Sequence, residues 1–205
     1  MIEKYEVESK TKEDAIIKLV SFTELPAEDL FISFEETESK ILKSKKVIAK
    51  AYRKVDILRY LRETIQDFAK FANLDIKSEV NLREDYYNVL LFSEQAHVLI
   101  GKEGKNLTAL QMFLKHALNN QTGMNIKVSL DISNYKAKKQ KYFEFEIKKI
   151  IKQVLNTRED VVLDPMNSYE RRIIHNLVSD YPNLSSLSNG EGKERKVTIK
   201  YIENK

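Results

Sequence analysis

The chain contains no cysteine, which excludes disulfides, thiolate nucleophiles and every zinc site that draws on Cys ligands. Its three histidines, His97, His116 and His175, are scattered without metal-ligand spacing, so neither a structural metal nor a cofactor is expected. No apolar run comes near the roughly 20 residues that span a bilayer. The opening MIEKYEVESK alternates charges where a signal peptide would place an apolar stretch, and a cytoplasmic location is the expectation. Internal repeats at solenoid periods and low-complexity tracts are also missing, which predicts compact structure throughout. Glycine is scarce as well. There are five in 205 residues, yet two of them, Gly101 and Gly104, stand three positions apart.

What is present is an ordinary globular composition, 42% hydrophobic, with a net charge of +4 and a pI near 8.9. That charge is too small to indicate nucleic-acid binding by its size, so its distribution matters more. Residues 1–52 hold nine Lys against eleven Asp or Glu, whereas Ser133 to Arg158 holds eight basic and two acidic side chains. Most of the excess sits in that one segment.

The pattern of apolar residues predicts an α+β fold of three small α+β units. Residues 1–52 read strand, helix, strand, strand: EKYEVES alternates, Thr11 is placed to cap a helix carrying Ala15, Ile16, Leu19 and Val20, and DLFISFEE and KVIAKAY are strand-like. Residues 53–132 read helix, strand, strand, helix, helix, strand. The first helix has apolar spacing at Ile57, Leu61, Ile65, Phe68 and Ala72; the polar Arg83, Glu84 and Asp85 suit a turn between its strands. Residues 133–205 begin with a long lysine-rich helix whose apolar face collects Phe143, Ile147, Ile150, Ile151 and Val154. A strand follows in EDVVL, then a helix capped by Asn167 or Ser168 with Glu170 in its first turn, then two short strands around a glycine turn.

Two glycines separated by two residues and followed by a helix have a physical use. They let the backbone turn with no Cβ in the way, so that a phosphate backbone can lie against the chain. The unpaired N–H groups of the next helix add partial positive charge, and Lys102 and Lys105 add full charges. The bland alternative is a plain helix-ending turn. The order of elements around IGKEGKNLTALQ resembles the type II KH fold over about 80 residues, with Val98, Leu99, Ile100, Leu107 and Leu110 where that family packs its helices on the sheet. The resemblance implies a loop of Gly101, Lys102, Glu103, Gly104 and Lys105 that clamps about four single-stranded nucleotides, with a hydrophobic groove for the bases. Glu103 stands where related proteins usually carry a basic residue.

The second constellation is NSYERRIIHNL. Arg171 and His175 are four apart, so on a helix they project from one side, and Arg172 lies near enough to reach the same patch. An Arg offers a bidentate phosphate donor and a His a hydrogen-bond donor that becomes cationic beside phosphate. The bland alternative is a histidine filling a gap at a helix edge. With the later SSLSNGEGKERKVTI, the stretch resembles the small nucleic-acid-binding fold named for an arginine and a histidine separated by three residues, here the Arg-His domain. Ser188, Gly190 and Arg195 fit its second characteristic block. The resemblance assigns Arg171, Arg172, His175 and Arg195 to a surface for single-stranded nucleic acid, and Lys136, Lys138 and Lys139 form an auxiliary basic patch.

A strand-helix-strand-strand unit followed by a KH unit and an Arg-His unit resembles the Jag or KhpB family of bacteria. The resemblance implies an RNA-binding protein that regulates transcripts, the cell envelope or cell division. It also implies a smaller KH-only partner, a membrane protein insertase or division-machinery partner reached through residues 1–52, and membrane proximity through such a partner. Self-association and single-stranded DNA binding belong to the same set of expectations. Family members often carry a Gly-Phe-Leu-Gly type segment between the last strands of the first unit, where this chain has ESKILKSKKVIA.

An enzyme would need a nucleophile, a base and an electrophile together. Glu35 and Glu36 are adjacent in a strand and face opposite sides, and His175 has no second acid or metal cluster beside it. The chain is therefore read as a binder and not as an enzyme. The rival is a protein-interaction scaffold associated with a membrane protein insertase, with nucleic-acid binding secondary.

Overall fold

The computed structural model describes residues 2–38, 45–84 and 86–203. Residues 39–44 of the segment that stands in place of the Gly-Phe-Leu-Gly motif, and Asp85 of the expected turn, lie outside the described residues. The described residues build three three-stranded sheets in two compact units, Met1–Ser133 and Asn134–Lys205.

The first unit opens with β1 (Tyr5–Ser9), α1 (Lys12–Thr23), β2 (Leu30–Glu38) and β3 (Lys45–Arg53). Their antiparallel sheet has the order β1-β3-β2. Helix α1 starts because the Thr11 side chain accepts from the Asp14 N–H at 3.1 Å, satisfying one of the donors that a helix start leaves open. Its Ala15 and Leu19 are fully buried against Leu30, Ala49 and Ala51. Strand β3 runs straight into α2 (Lys54–Phe71), with Arg53 at the N-cap position. At this joint Asp56, buried to 8% exposure, is held by Arg53 at 3.3 Å and Arg59 at 3.0 Å.

Helix α2 leads to β4 (Lys77–Arg83), β5 (Tyr86–Phe92), α3 (Ala96–Ile100), α4 (Lys105–Thr122) and β6 (Lys127–Ile132). The helix, strand, strand, helix, helix, strand order expected from the sequence is present. Strand β5 pairs antiparallel with β4 and parallel with β6. Alternation sets which residues enter the core: Tyr87, Val89 and Leu91 from β5, and Val128, Leu130 and Ile132 from β6. The buried stripes Ile57, Leu61 and Ile65 of α2 and Leu107, Leu110, Leu114 and Leu118 of α4 follow the helical period. Polar side chains of α4 finish the edge of β6. Gln111 accepts from the Leu130 N–H at 3.2 Å, and Asn119 accepts from the Ile126 N–H at 3.0 Å.

A long-range bond ties the end of β3 to the end of α4: the Tyr52 hydroxyl donates to the Thr122 carbonyl at 2.7 Å, and both residues are buried. Sequence periodicity carries no trace of such a bond, because its partners are 70 positions apart.

The second unit contains α5 (Tyr135–Thr157), β7 (Val161–Val162), α6 (Ser168–Ser179), β8 (Leu184–Asn189) and β9 (Lys196–Tyr201). Its antiparallel sheet has the order β7-β9-β8. The core joins Ile147, Ile151 and Val154 of α5 with Ile174 and Val178 of α6, Leu184 of β8, and Val197 and Ile199 of β9. A buried side chain of this kind contributes about 1.5–3 kcal/mol. Helix α6 begins with a reciprocal cap, in which the Asn167 side chain accepts from the Glu170 N–H at 3.0 Å and Glu170 accepts from the Asn167 N–H at 3.2 Å. Asn167, and not Ser168, is the cap.

Candidate nucleic-acid interface

The glycine loop is built by conformations that only certain residues adopt. Gly101 has φ 68° and ψ −179°, a region open essentially to glycine, and Gly104 is left-handed at φ 86°. Between them Glu103 also stands at φ 56°, an uncommon conformation for a residue with a Cβ. A Cβ on Gly101 would lie 2.6 Å from the Asn106 side chain. That side chain donates to the Val98 carbonyl at 2.8 Å, stitching the start of α4 to α3 across the loop. Thr108 donates to the Gly104 carbonyl at 3.0 Å. Asn106 was not picked out from the sequence; its place just after the second glycine is the signal that could have found it.

No side chain caps α4, whose N-cap is Gly104 itself. The positive end of an eighteen-residue helix therefore opens directly onto the loop. Lys102, Glu103 and Lys105 are exposed there, and Gly104 is buried.

On the second unit, Arg171 and His175 lie one turn apart on α6, both half-buried, and Arg172 is exposed. Arg195 is exposed and ends the short 3-10 turn Gly192–Glu194 that leads into β9. Gly190 makes that turn fit: it has φ 87°, and a Cβ there would meet the Glu194 carbonyl oxygen at 2.9 Å.

His175 is occupied. Its Nδ1 is 2.6 Å from the Ser186 hydroxyl and its Nε2 is 2.8 Å from the Ser188 hydroxyl, so no ring nitrogen is left to donate to a phosphate. Burial first, then the positive charges of Arg171 and Arg195, hold its pKa below the usual histidine value. This differs from the sequence reading, in which the imidazole met phosphate itself and became cationic. The reason is the strand beside it: alternation along LSSLSN turns Ser186 and Ser188 to the same side of β8 as the buried Leu184. Ser188 was expected at this surface. Ser186 was missed, although it stands two positions away.

Arg171 and Arg195 flank the histidine, and Arg172 is exposed beside Arg171 on α6. Neither Arg171 nor Arg195 forms an ion pair among the described residues, and the Arg171 Nε is buried with no hydrogen-bond partner. An unpaired buried donor of this kind carries a desolvation cost. Lys136 and Lys138 stand exposed in the first turn of α5 and Lys139 just after it, near the end at which a helix dipole disfavours cations. The first turn holds no acidic residue, and Asn134 provides no side-chain cap. Among the described residues there is no group of three His, Cys, Asp or Glu able to hold a metal, and no helix long and apolar enough to cross a membrane.

Comparison with known proteins adds a family frame. The family model for the R-3-H domain matches residues 145–201. The RNA-binding protein KhpB of Bacillus subtilis is 33% identical over 165 residues, covering 78% of this chain and 78% of the relative. The RNA-binding protein KhpB of Clostridium symbiosum is 32% identical over 198 residues, covering 94% and 89% respectively. The protein of the same name from Streptococcus pneumoniae is 26% identical over 144 residues, which is 70% of this chain and 43% of the relative.

Proposed function

The chain belongs to the KhpB family, and from that premise we propose that it binds single-stranded RNA, using the glycine loop of residues 101–105 and the Arg171–Arg195 face as two separate phosphate-contacting surfaces. The observation that carries the reading is the pair of unpaired arginines around an occupied histidine. Two guanidinium groups left without carboxylates, Arg171 half-buried and Arg195 exposed, leave positive charge available to a polyanion. The loop supplies the second surface, with Lys102 and Lys105 at an uncapped helix start. Each surface alone binds weakly, and linkage in one chain raises the effective concentration of the other. Lys136, Lys138 and Lys139 extend the attraction along the strand. The domain limits that go with this reading are 1–52, 53–132 and 133–205.

Within the same reading, the sheet formed by β1, β2 and β3 contacts protein and not nucleic acid. Ile17 and Phe22 of α1, each 66% exposed, are the groups offered to a partner. A small KH-only protein, a membrane protein insertase, division machinery or a second copy are the partner classes, and a regulatory role in the cell envelope or division follows from them. Membrane proximity would then come through the partner.

The test is a titration of the full chain with a short unstructured RNA at 50 and 200 mM salt. If Lys102, Lys105, Arg171 and Arg195 each neutralise one phosphate, the log–log salt slope is about −3, an affinity loss of roughly fifty-fold across that range. Saturable binding with that dependence is the expected result. Absence of saturable binding at low salt, or binding indifferent to salt, would overturn the reading.

A further inference from the structure

We propose that His175 is a positioning residue whose neutral ring fixes the hydroxyl protons of Ser186 and Ser188, turning one of them into an acceptor-only site that the ribose 2′-hydroxyl of RNA can fill and a DNA backbone cannot. This rests on the RNA-binding reading and names the chemical group that the Arg171–Arg195 face selects.

The geometry begins in β8. Leu184, Ser186 and Ser188 share one side of this strand, Leu184 buried in the core and Ser186 and Ser188 opposite Ile199 and Val197 of β9. The side that faces the core therefore turns polar over its last residues. Strand residues two apart are separated by about 7 Å, a gap that one imidazole spans with a hydrogen bond on each side. His175 does this with bonds of 2.6 and 2.8 Å.

A neutral imidazole carries one N–H and one bare nitrogen. The serine facing the N–H accepts from the ring and keeps its own O–H for an outside acceptor. The serine facing the bare nitrogen donates its proton to the ring and presents only lone pairs outward. Either tautomer gives this split; it decides only which serine takes which part. Burial and the charges of Arg171 and Arg195 both favour the neutral ring.

A free serine hydroxyl rotates to suit whatever approaches it. Held by the ring, the acceptor-only hydroxyl cannot turn a proton toward a phosphate oxygen, and lone pair would meet lone pair. The sugar–phosphate backbone of DNA has no hydrogen-bond donor at neutral pH. That of RNA has one per nucleotide, the 2′-hydroxyl. The work divides accordingly: Arg171 and Arg195 take phosphates, the donor serine takes any nearby oxygen, and the acceptor serine accepts only a strand with ribose.

The experiment compares the full chain with its Ser186→Ala, Ser188→Ala and His175→Phe variants, each checked for an unchanged circular dichroism spectrum. Each is titrated with oligo-U, oligo-dU and 2′-O-methyl oligo-U of one length. The parent should prefer oligo-U about three- to tenfold over both others, the worth of one neutral hydrogen bond; the 2′-O-methyl strand keeps the oxygen but lacks the donor. One serine variant should bring the oligo-U to oligo-dU ratio close to one without lowering oligo-dU affinity, and the other should weaken both strands alike. His175→Phe should also lower the ratio, since both hydroxyls then rotate freely. If His175→Phe does not fold, the two serine variants still decide. A ratio that neither serine variant moves, or a parent that binds both strands equally, overturns the inference and leaves RNA binding standing. A parent that binds neither strand overturns both.

Discussion

Replacing Arg171 with alanine affects three quantities that can be measured separately, and the structure assigns each a direction. In the free protein the Arg171 Nε is buried and unpartnered, so its removal takes away a desolvated donor and not a satisfied bond. Stability should change little, within about 0.5 kcal/mol, because the lost stem packing is offset by the relief of that buried donor. On the proposed RNA-binding face the same guanidinium would be a charge-assisted donor worth about 1.5–3 kcal/mol, so affinity should fall roughly ten- to hundredfold. The third quantity is the His175 pKa, which Arg171 helps to lower; without that charge it should rise toward the ordinary histidine value. The assays are fluorescence anisotropy with a labelled single-stranded RNA, thermal melting, and an NMR titration of the His175 ring protons. A variant that melts early yet binds RNA as well as the parent would refute the reasoning and make Arg171 an ordinary helix-edge residue.

Two further outcomes follow from the same geometry. Gly101→Ala places a Cβ 2.6 Å from Asn106 at φ 68°. Backbone strain of about 1–3 kcal/mol and the loss of the Asn106–Val98 bond, about 1 kcal/mol, should together lower Tm by roughly 10 °C and weaken RNA binding; an unchanged Tm in calorimetry would show that the loop does not hold this conformation. The lowered His175 pKa makes the folded state bind fewer protons than the unfolded chain. The stability it contributes is therefore present above about pH 6.5 and lost as pH falls from there through the folded-state value. Urea midpoints at pH 7.5 and 5.0 should fall further in the parent than in His175→Phe, and equal falls would remove His175 as the cause.

Local patterns carried much of the architecture. The strand-helix-strand-strand opening, the six-element order of the middle segment and the cap at Asn167 all rest on alternation, helical spacing and capping residues, which act between neighbours in sequence. The scarcity of glycine made the Gly101–Gly104 pair conspicuous, and its positive φ values are what such a pair is for. The spacing of Arg171 and His175 likewise placed both on one side of α6, because four residues make about one helical turn.

Tertiary structure decided what those side chains face. Whether His175 looks toward solvent or toward two hydroxyls depends on β8 packing beside α6, and that pairing is fixed by the common core of Leu184, Ile174 and Ile199, not by anything adjacent to the histidine in the chain. The Tyr52–Thr122 bond and the Asn106 stitch across the glycine loop belong to the same class. Spacing can tell which residues share a helix face or a strand face. The partner across the gap, and with it the direction of a pKa and the rotation of a hydroxyl proton, exists only once long-range burial has brought the elements together.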